Sequence, residues 1–255
     1  MTALATPRVP PGHYRFPQAA RMEWIKLRSL RSTWWTLAIT AAAATGIGVA
    51  VGLNTRNASG DLTNNALAGI APGLLLAGVL GVLAMTSEYT FGMIRATLAT
   101  IPDRRLLLTA KATVFAALTL AIGEATAFIA FFAGGASLRH GISPPTLGQP
   151  GVLQAVVLSG AGFALIGLMG LGLGAIVRHT PAAIAILVGG VYVVAQFIAG
   201  ITPALMAYVP ISIVANSMAT TQDPMLSPWA GLGLLGLYAG VLLAVGGWLL
   251  TRRDA

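Results

Sequence analysis

From Val152 to Val177 the chain contains no Asp, Glu, Lys or Arg. The hydrocarbon core of a bilayer is about 30 Å thick, and an α-helix needs about 20 apolar residues to cross it. Similar apolar runs occupy residues 33–53, 66–86, 112–134, 182–201 and 229–250. Only 9% of the 255 residues are charged, and mean hydropathy is +0.81. A soluble domain of this length needs far more charge to keep its surface wet. The runs do not alternate apolar with polar residues, as a membrane strand barrel requires. The sequence therefore predicts an all-α polytopic membrane protein with six transmembrane helices.

Net charge is +8, which in a soluble protein would suggest a nucleic-acid partner. Here the basic residues flank apolar runs, where they set orientation and meet anionic lipid headgroups, so no nucleic acid is expected. Arg8, Arg15, Arg21, Lys26, Arg28 and Arg31 precede the first run. Arg95, Arg104, Arg105 and Lys111 follow the second, Arg178 follows the fourth, and Arg252 and Arg253 follow the sixth. Only Arg56 and Arg139, of the 15 Lys and Arg, fall on the opposite side. This asymmetry predicts that both termini lie in the cytoplasm. The chain has no Cys, which removes disulfides, thiolate metal sites and a Cys nucleophile. His13, His140 and His179 are far apart and read as solvated loop residues, with no metal site expected.

Residues 1–20 read as a flexible cytoplasmic arm, and residues 21–255 as one six-span domain. The arm does not read as part of a signal peptide, because the apolar run after it continues uncleaved to Leu53. In "RMEWIKLRSLRSTWW", Trp24, Leu27, Leu30 and Trp34 recur every three or four residues among basic side chains. That pattern predicts a helix lying in the inner membrane interface, against the plainer reading of a basic flank. Between the fifth and sixth runs, residues 202–228 carry no Lys or Arg and are cut by Pro203, Pro210, Pro224 and Pro228. They predict two short helices dipping back into the outer leaflet, with an ordinary external loop as the competing reading.

Several motifs fail on context. "GLGLLG" at residues 231–236 matches a dinucleotide pattern but sits inside an apolar run without a preceding strand. Gly170 with Gly174, and Gly236 with Gly240, have the spacing that lets helix backbones approach closely. "NAS" at Asn57 is a glycosylation triplet by pattern only. Neither Lys26 in "IKL" nor Lys111 in "AKA" completes a Gly-Lys-Ser/Thr phosphate loop, so no nucleotide or other cofactor is expected on this chain. There is no plausible Ser/His/acid set either, and the chain does not read as an enzyme. Glu124 stands out, because it lies about 20 Å along a helix beyond Lys111. A carboxylate at that depth is costly unless protonated, paired or wetted. It reads either as part of a substrate path, with Gln196, or as a neutral acid hydrogen-bonded to a neighbouring helix, with Gln196 as the partner.

The most polar interior stretch is "SEYTFGMIRATLATIPDRRLLLTAKA", residues 87–112. Phe91, Ile94, Leu98 and Ile101 step by three, four and three along one face of a helix, while Glu88, Gly92 and Arg95 fall on another side. Pro102 ends that helix, and "DRR" opens the next. The length of this amphipathic piece favours a partner surface beneath it over a mere interfacial turn.

Residues 88–111 resemble the signature of permease subunits of type-2 ATP-binding-cassette exporters. In that family a Glu is followed by Gly, a Leu, Pro-x-Arg and Lys around the coupling helix of the first cytoplasmic loop. Glu88, Gly92, Leu98, Pro102 with Arg104, and Lys111 occupy those places. The resemblance extends to a basic N-terminal helix, six spans and re-entrant helices before the last span. It implies a cell-membrane export (efflux) subunit that pairs with a second permease chain. A separate ATPase subunit would supply ATP and magnesium, since no ATPase is fused to this chain. Residues 88–101 would dock in that ATPase, with Glu88 and Arg95 stabilising the docked helix. Arg104, Arg105 and Lys111 would anchor the lever to headgroups or acidic ATPase residues. The excess of Arg over Lys adds a bacterial source. Two rival readings are a stand-alone transporter driven by protons at Glu124 and a passive membrane anchor or sensor subunit.

Overall fold

A computed structural model of the chain describes residues 15–56, 60–90, 92–194, 197, 200–220 and 226–252. Among the described residues there are helices and no strands. Helix α1 (Phe16–Ser29) starts inside the expected flexible arm, five residues before the expected domain start at Arg21, with Gln18 Oε1 accepting from Arg15 N at 2.9 Å. Leu30 is extended, so the chain turns there before α2 (Arg31–Asn54). Helix α1 buries Ala19, Glu23 and Leu27, while Trp24, Leu30 and Trp34 of the stripe are exposed on the protein. A carboxylate, Glu23, thus points inward, where it meets Lys111 of α6.

A short helix α3 (Leu62–Ala66), capped by the Asp61 carboxylate, precedes α4 (Ile70–Thr90). The second apolar run therefore begins four residues later than expected and ends four later, bringing Glu88 into the helix. Gly92 then takes φ +65°, a left-handed conformation natural to glycine. It separates α4 from α5 (Met93–Thr100), so Glu88 and Arg95 do not share one helix as the sequence suggests. Asp103 caps α6 (Arg104–Ala136), its Oδ1 accepting from Arg105 N at 3.0 Å and Leu106 N at 3.1 Å. This cap lets α6 begin eight residues before the expected third span.

Helix α7 (Val152–Val177) matches its expected bounds. After it, α8 (Thr180–Ala185) runs into a π-helical stretch, Ile186–Val194, where the fifth span is expected. His179, read as a solvated loop residue, instead caps α8 through Nδ1, which accepts from Ala182 N at 3.4 Å. A 3₁₀ turn (Pro203–Tyr208) and α9 (Pro210–Met218) lie between the last runs, and α10 (Pro228–Arg252) follows. Among the described residues, five helices, α2, α4, α6, α7 and α10, are long and apolar enough to cross a membrane.

The bundle is organised around α7, which packs against α4, α6 and α10. Between helices in lipid, close packing replaces water exclusion as the driving force, and small residues allow it. A Cβ at Gly170 would overlap the Gly78 carbonyl, and one at Gly174 would lie 3.0 Å from the Val82 carbonyl oxygen. That pair therefore seats α7 on α4. Gly236 and Gly240 meet nothing within 4 Å and seat no neighbour among the described residues. Gly231 of "GLGLLG" packs on Ile213 of α9, a contact between helices. At the outer edges, α2 and α10 leave large apolar side chains exposed, including Trp35, Ile39, Leu237 and Trp248. Surfaces of that kind belong against lipid or another protein.

Candidate functional site

The ends of α1, α4 and α6 meet beneath α5 and enclose an ion cluster. Lys111 Nζ donates to Glu23 Oε2 and to Glu88 Oε1, both at 2.6 Å. Lys26 Nζ lies 3.1 Å from the same Glu88 oxygen and 3.3 Å from Glu23 Oε1. It also donates to Thr97 Oγ1 of α5 at 3.2 Å. Glu23, Glu88 and Lys111 are buried, while Lys26 keeps about a third of its side chain exposed. Two carboxylates and two ammonium groups leave the cluster formally neutral. Short charge-assisted bonds of this kind are stronger than neutral ones, and burial makes the loss of any one partner expensive.

The cluster is closed on both sides by apolar packing. Leu27, Leu37, Met85, Leu108 and Phe115 form the layer toward the bundle. Ala19, Ile101, Leu107 and Ala110 join α1 to the loop and first turns of α6. Lysine suits the central position because its ammonium is a compact point charge with three donors, whereas a guanidinium is a broad planar fork.

A second set of contacts holds the end of α10. Arg104 Nη1 donates to Leu250 O at 2.6 Å, and Arg178 Nη2 donates to Leu249 O at 3.2 Å. These are last-turn carbonyls, which lack partners within their own helix and favour nearby cations. Arg178 is left-handed (φ +58°), and its guanidinium lies 5.2 Å from the centre of the Tyr89 ring. Thr180 Oγ1 donates to Thr86 Oγ1 at 2.8 Å, tying the start of α8 to α4.

The expected docking residues thus divide. Glu88 and Lys111 turn inward and pair with each other, so Lys111 does not reach headgroups or a partner's acids. Arg104 is likewise engaged on α10. Arg95, Arg105, Gly92 and Pro102 are exposed, Ile94 is buried and Leu98 half-buried. Ile94 and Ile101 lie on the inward face, as the spacing predicts, and Thr97 joins them. Phe91 lies outside the described residues. The opposite ridge of α5, with Met93, Ala96 and Thr100, is open.

Glu124 is half-buried on α6 and lies against Gly160 of α7; a Cβ at Gly160 would stand 2.6 Å from Glu124 Oε2. Its expected neighbour Gln196 lies outside the described residues. No group of His, Asp or Glu able to hold a metal occurs among the described residues.

Sequence reasoning missed Glu23 and Lys26 as members of the cluster. A signal was present: the chain has only two lysines, Lys26 and Lys111, beside three glutamates, and every other cation is arginine. Both lysines converge on Glu23 and Glu88. No protein-family model matches the chain, and no curated protein is similar to it at a significant level.

Proposed function

We propose that this chain is the membrane-spanning permease subunit of an ATP-binding-cassette exporter of the type-2 class, driven by a separate ATPase through α5. The observation that carries the reading is the position of α5. One face of this short helix is buried on the bundle, its outer ridge is open, and an ion cluster joins α1, α4 and α6 beneath it. A push on the open ridge passes through Thr97 and Lys26 to that cluster. From there it reaches α6, which at 33 residues is about 50 Å long and exceeds the bilayer core by several turns. The excess length stands on the cytoplasmic side in this reading and acts as the lever.

In the same reading the α8 region completes a sixth span. The 3₁₀ turn and α9 re-enter the outer leaflet, and both termini face the cytoplasm of a bacterial cell. Two copies pair through exposed apolar faces, and ATP and magnesium belong to the ATPase. Glu124 belongs to the substrate path.

The test uses the absence of cysteine. Ala96→Cys is introduced on the open ridge, and the full chain is isolated from its native membrane with a thiol-reactive cross-linker present. An ATP-binding-cassette ATPase joined to Ala96→Cys but not to Ser143→Cys supports the proposal. Isolation without any ATPase, combined with proton-driven uptake in vesicles that Glu124→Gln abolishes, would support the stand-alone transporter instead.

A further inference from the structure

The outward side of the joint between α1 and α6 holds a groove of about 580 Å³. It is lined by Ala20, Arg21 and Trp24 of α1 on one side and by Thr113, Ala117, Leu118 and Ala121 of α6 on the other. From Thr113 to Ala121 the α6 side extends about 12 Å along the helix axis. Ala117 and Ala121 are small and exposed, so the groove is open to whatever surrounds the bundle.

We propose that this groove is a binding site for an anionic phospholipid of the inner leaflet. Its phosphate would lie on Arg21 and one acyl chain along Thr113, Ala117 and Ala121. Charge selects this occupant. Arg21 and Arg28 are exposed on the same side of α1 and make no side-chain hydrogen bond or ion pair with the described residues. The nearby carboxylates, Glu23 and Glu88, are already neutralised by Lys26 and Lys111. The α1 side of the groove therefore carries uncompensated positive charge next to an apolar α6 side, and it includes an indole, a ring that favours the membrane interface. A basic flank beside an apolar slot between helices on the cytoplasmic side matches an anionic headgroup with its chain. A zwitterionic lipid gains less from the arginines, and a detergent chain gains nothing from them.

The site touches the two elements that Glu23 and Lys111 join. A bound lipid would therefore brace α1 on α6 from outside while the ion cluster ties them from inside. This inference rests on the orientation proposed above, which puts α1 at the inner leaflet, and needs no ATPase.

The experiment counts lipids retained by the purified full chain in native mass spectrometry. Phosphatidylglycerol and phosphatidylcholine of identical acyl chains are added in turn. Preferential retention of phosphatidylglycerol is expected, reduced about fivefold by Arg21→Gln, consistent with the pull of one basic residue near an anionic surface. Ala117→Trp should abolish the retained lipid by filling the groove, and Arg139→Gln on the far side should change nothing. Ala121→Phe serves the same purpose if Ala117→Trp does not fold. Equal retention of the two lipids, or unchanged retention when the groove is filled, overturns the proposal. So does a cross-link from Ala117→Cys to a second copy of the chain. Reversed orientation is read separately, from cysteine labelling of the intact membrane, so the two failures are distinguishable.

Discussion

Lys111 has one ammonium shared between two buried carboxylates, and this fixes what its replacement does. Lys111→Met leaves Glu23 and Glu88 facing each other with only the partly exposed Lys26 to balance them. Breaking a buried ion pair on one side typically costs about 3–5 kcal/mol, so a large drop in thermal unfolding temperature is expected. Adding Glu23→Gln and Glu88→Gln to Lys111→Met removes the stranded charges, and most of the lost stability should return. Gly160 makes a second prediction. A methyl there would stand 2.5 Å from Glu124 Cδ and 2.7 Å from its Cα, so Gly160→Ala should force α6 from α7 at a cost of about 1–3 kcal/mol. Glu124→Ala should relieve only part of this cost, because the backbone contact remains. At this scale the sequence was only half legible. The need for partners at Glu88 and Lys111 follows from their place beside apolar runs. The identity of those partners depends on how α1 folds back, which no local spacing reveals.

At the level of the helix, α5 depends on two features. Gly92 holds the left-handed turn that detaches it from α4, and an Ala there would be strained by about 1–2 kcal/mol. Ile94 and Ile101 hold α5 to the bundle. Ile94→Asp should expose α5 to faster hydrogen exchange while leaving the interior of α7 protected. Gly170→Val tests the opposite end of the hierarchy: its side chain would overlap the Gly78 carbonyl, and the whole α4–α7 pair should lose stability. The apolar face of α5 was readable, because Ile94, Leu98 and Ile101 follow helical spacing. The break at Gly92 was not, since a glycine inside a helical pattern marks a turn only when the next helix must change direction. The same limit applies to the glycine pairs. Gly170 with Gly174 and Gly236 with Gly240 have one spacing, yet among the described residues only the first pair meets another backbone.

Across the whole molecule, helix type and the five longest helices follow from run length and composition, which local chemistry dictates. The bounds of the fourth run were legible from its uninterrupted apolar length and the Arg178 flank, and the structure ends the helix at those bounds with Gly151 and Arg178, both left-handed. The region of the fifth run was less legible, since the chain there passes from α to π geometry at Ile186 while keeping the same composition. The arginines flanking the runs predict which side of the membrane each loop occupies, and the proposed function needs α5 on the cytoplasmic side. Because the chain has no cysteine, single substitutions report orientation cleanly. Thr100→Cys on α5 and Ser143→Cys in the loop before α7, each treated with a membrane-impermeant maleimide, test this most directly. In intact cells only Ser143→Cys should be labelled, and in inside-out vesicles only Thr100→Cys. Labelling of Thr100→Cys from outside intact cells would contradict the account, because no cytoplasmic ATPase could then reach α5.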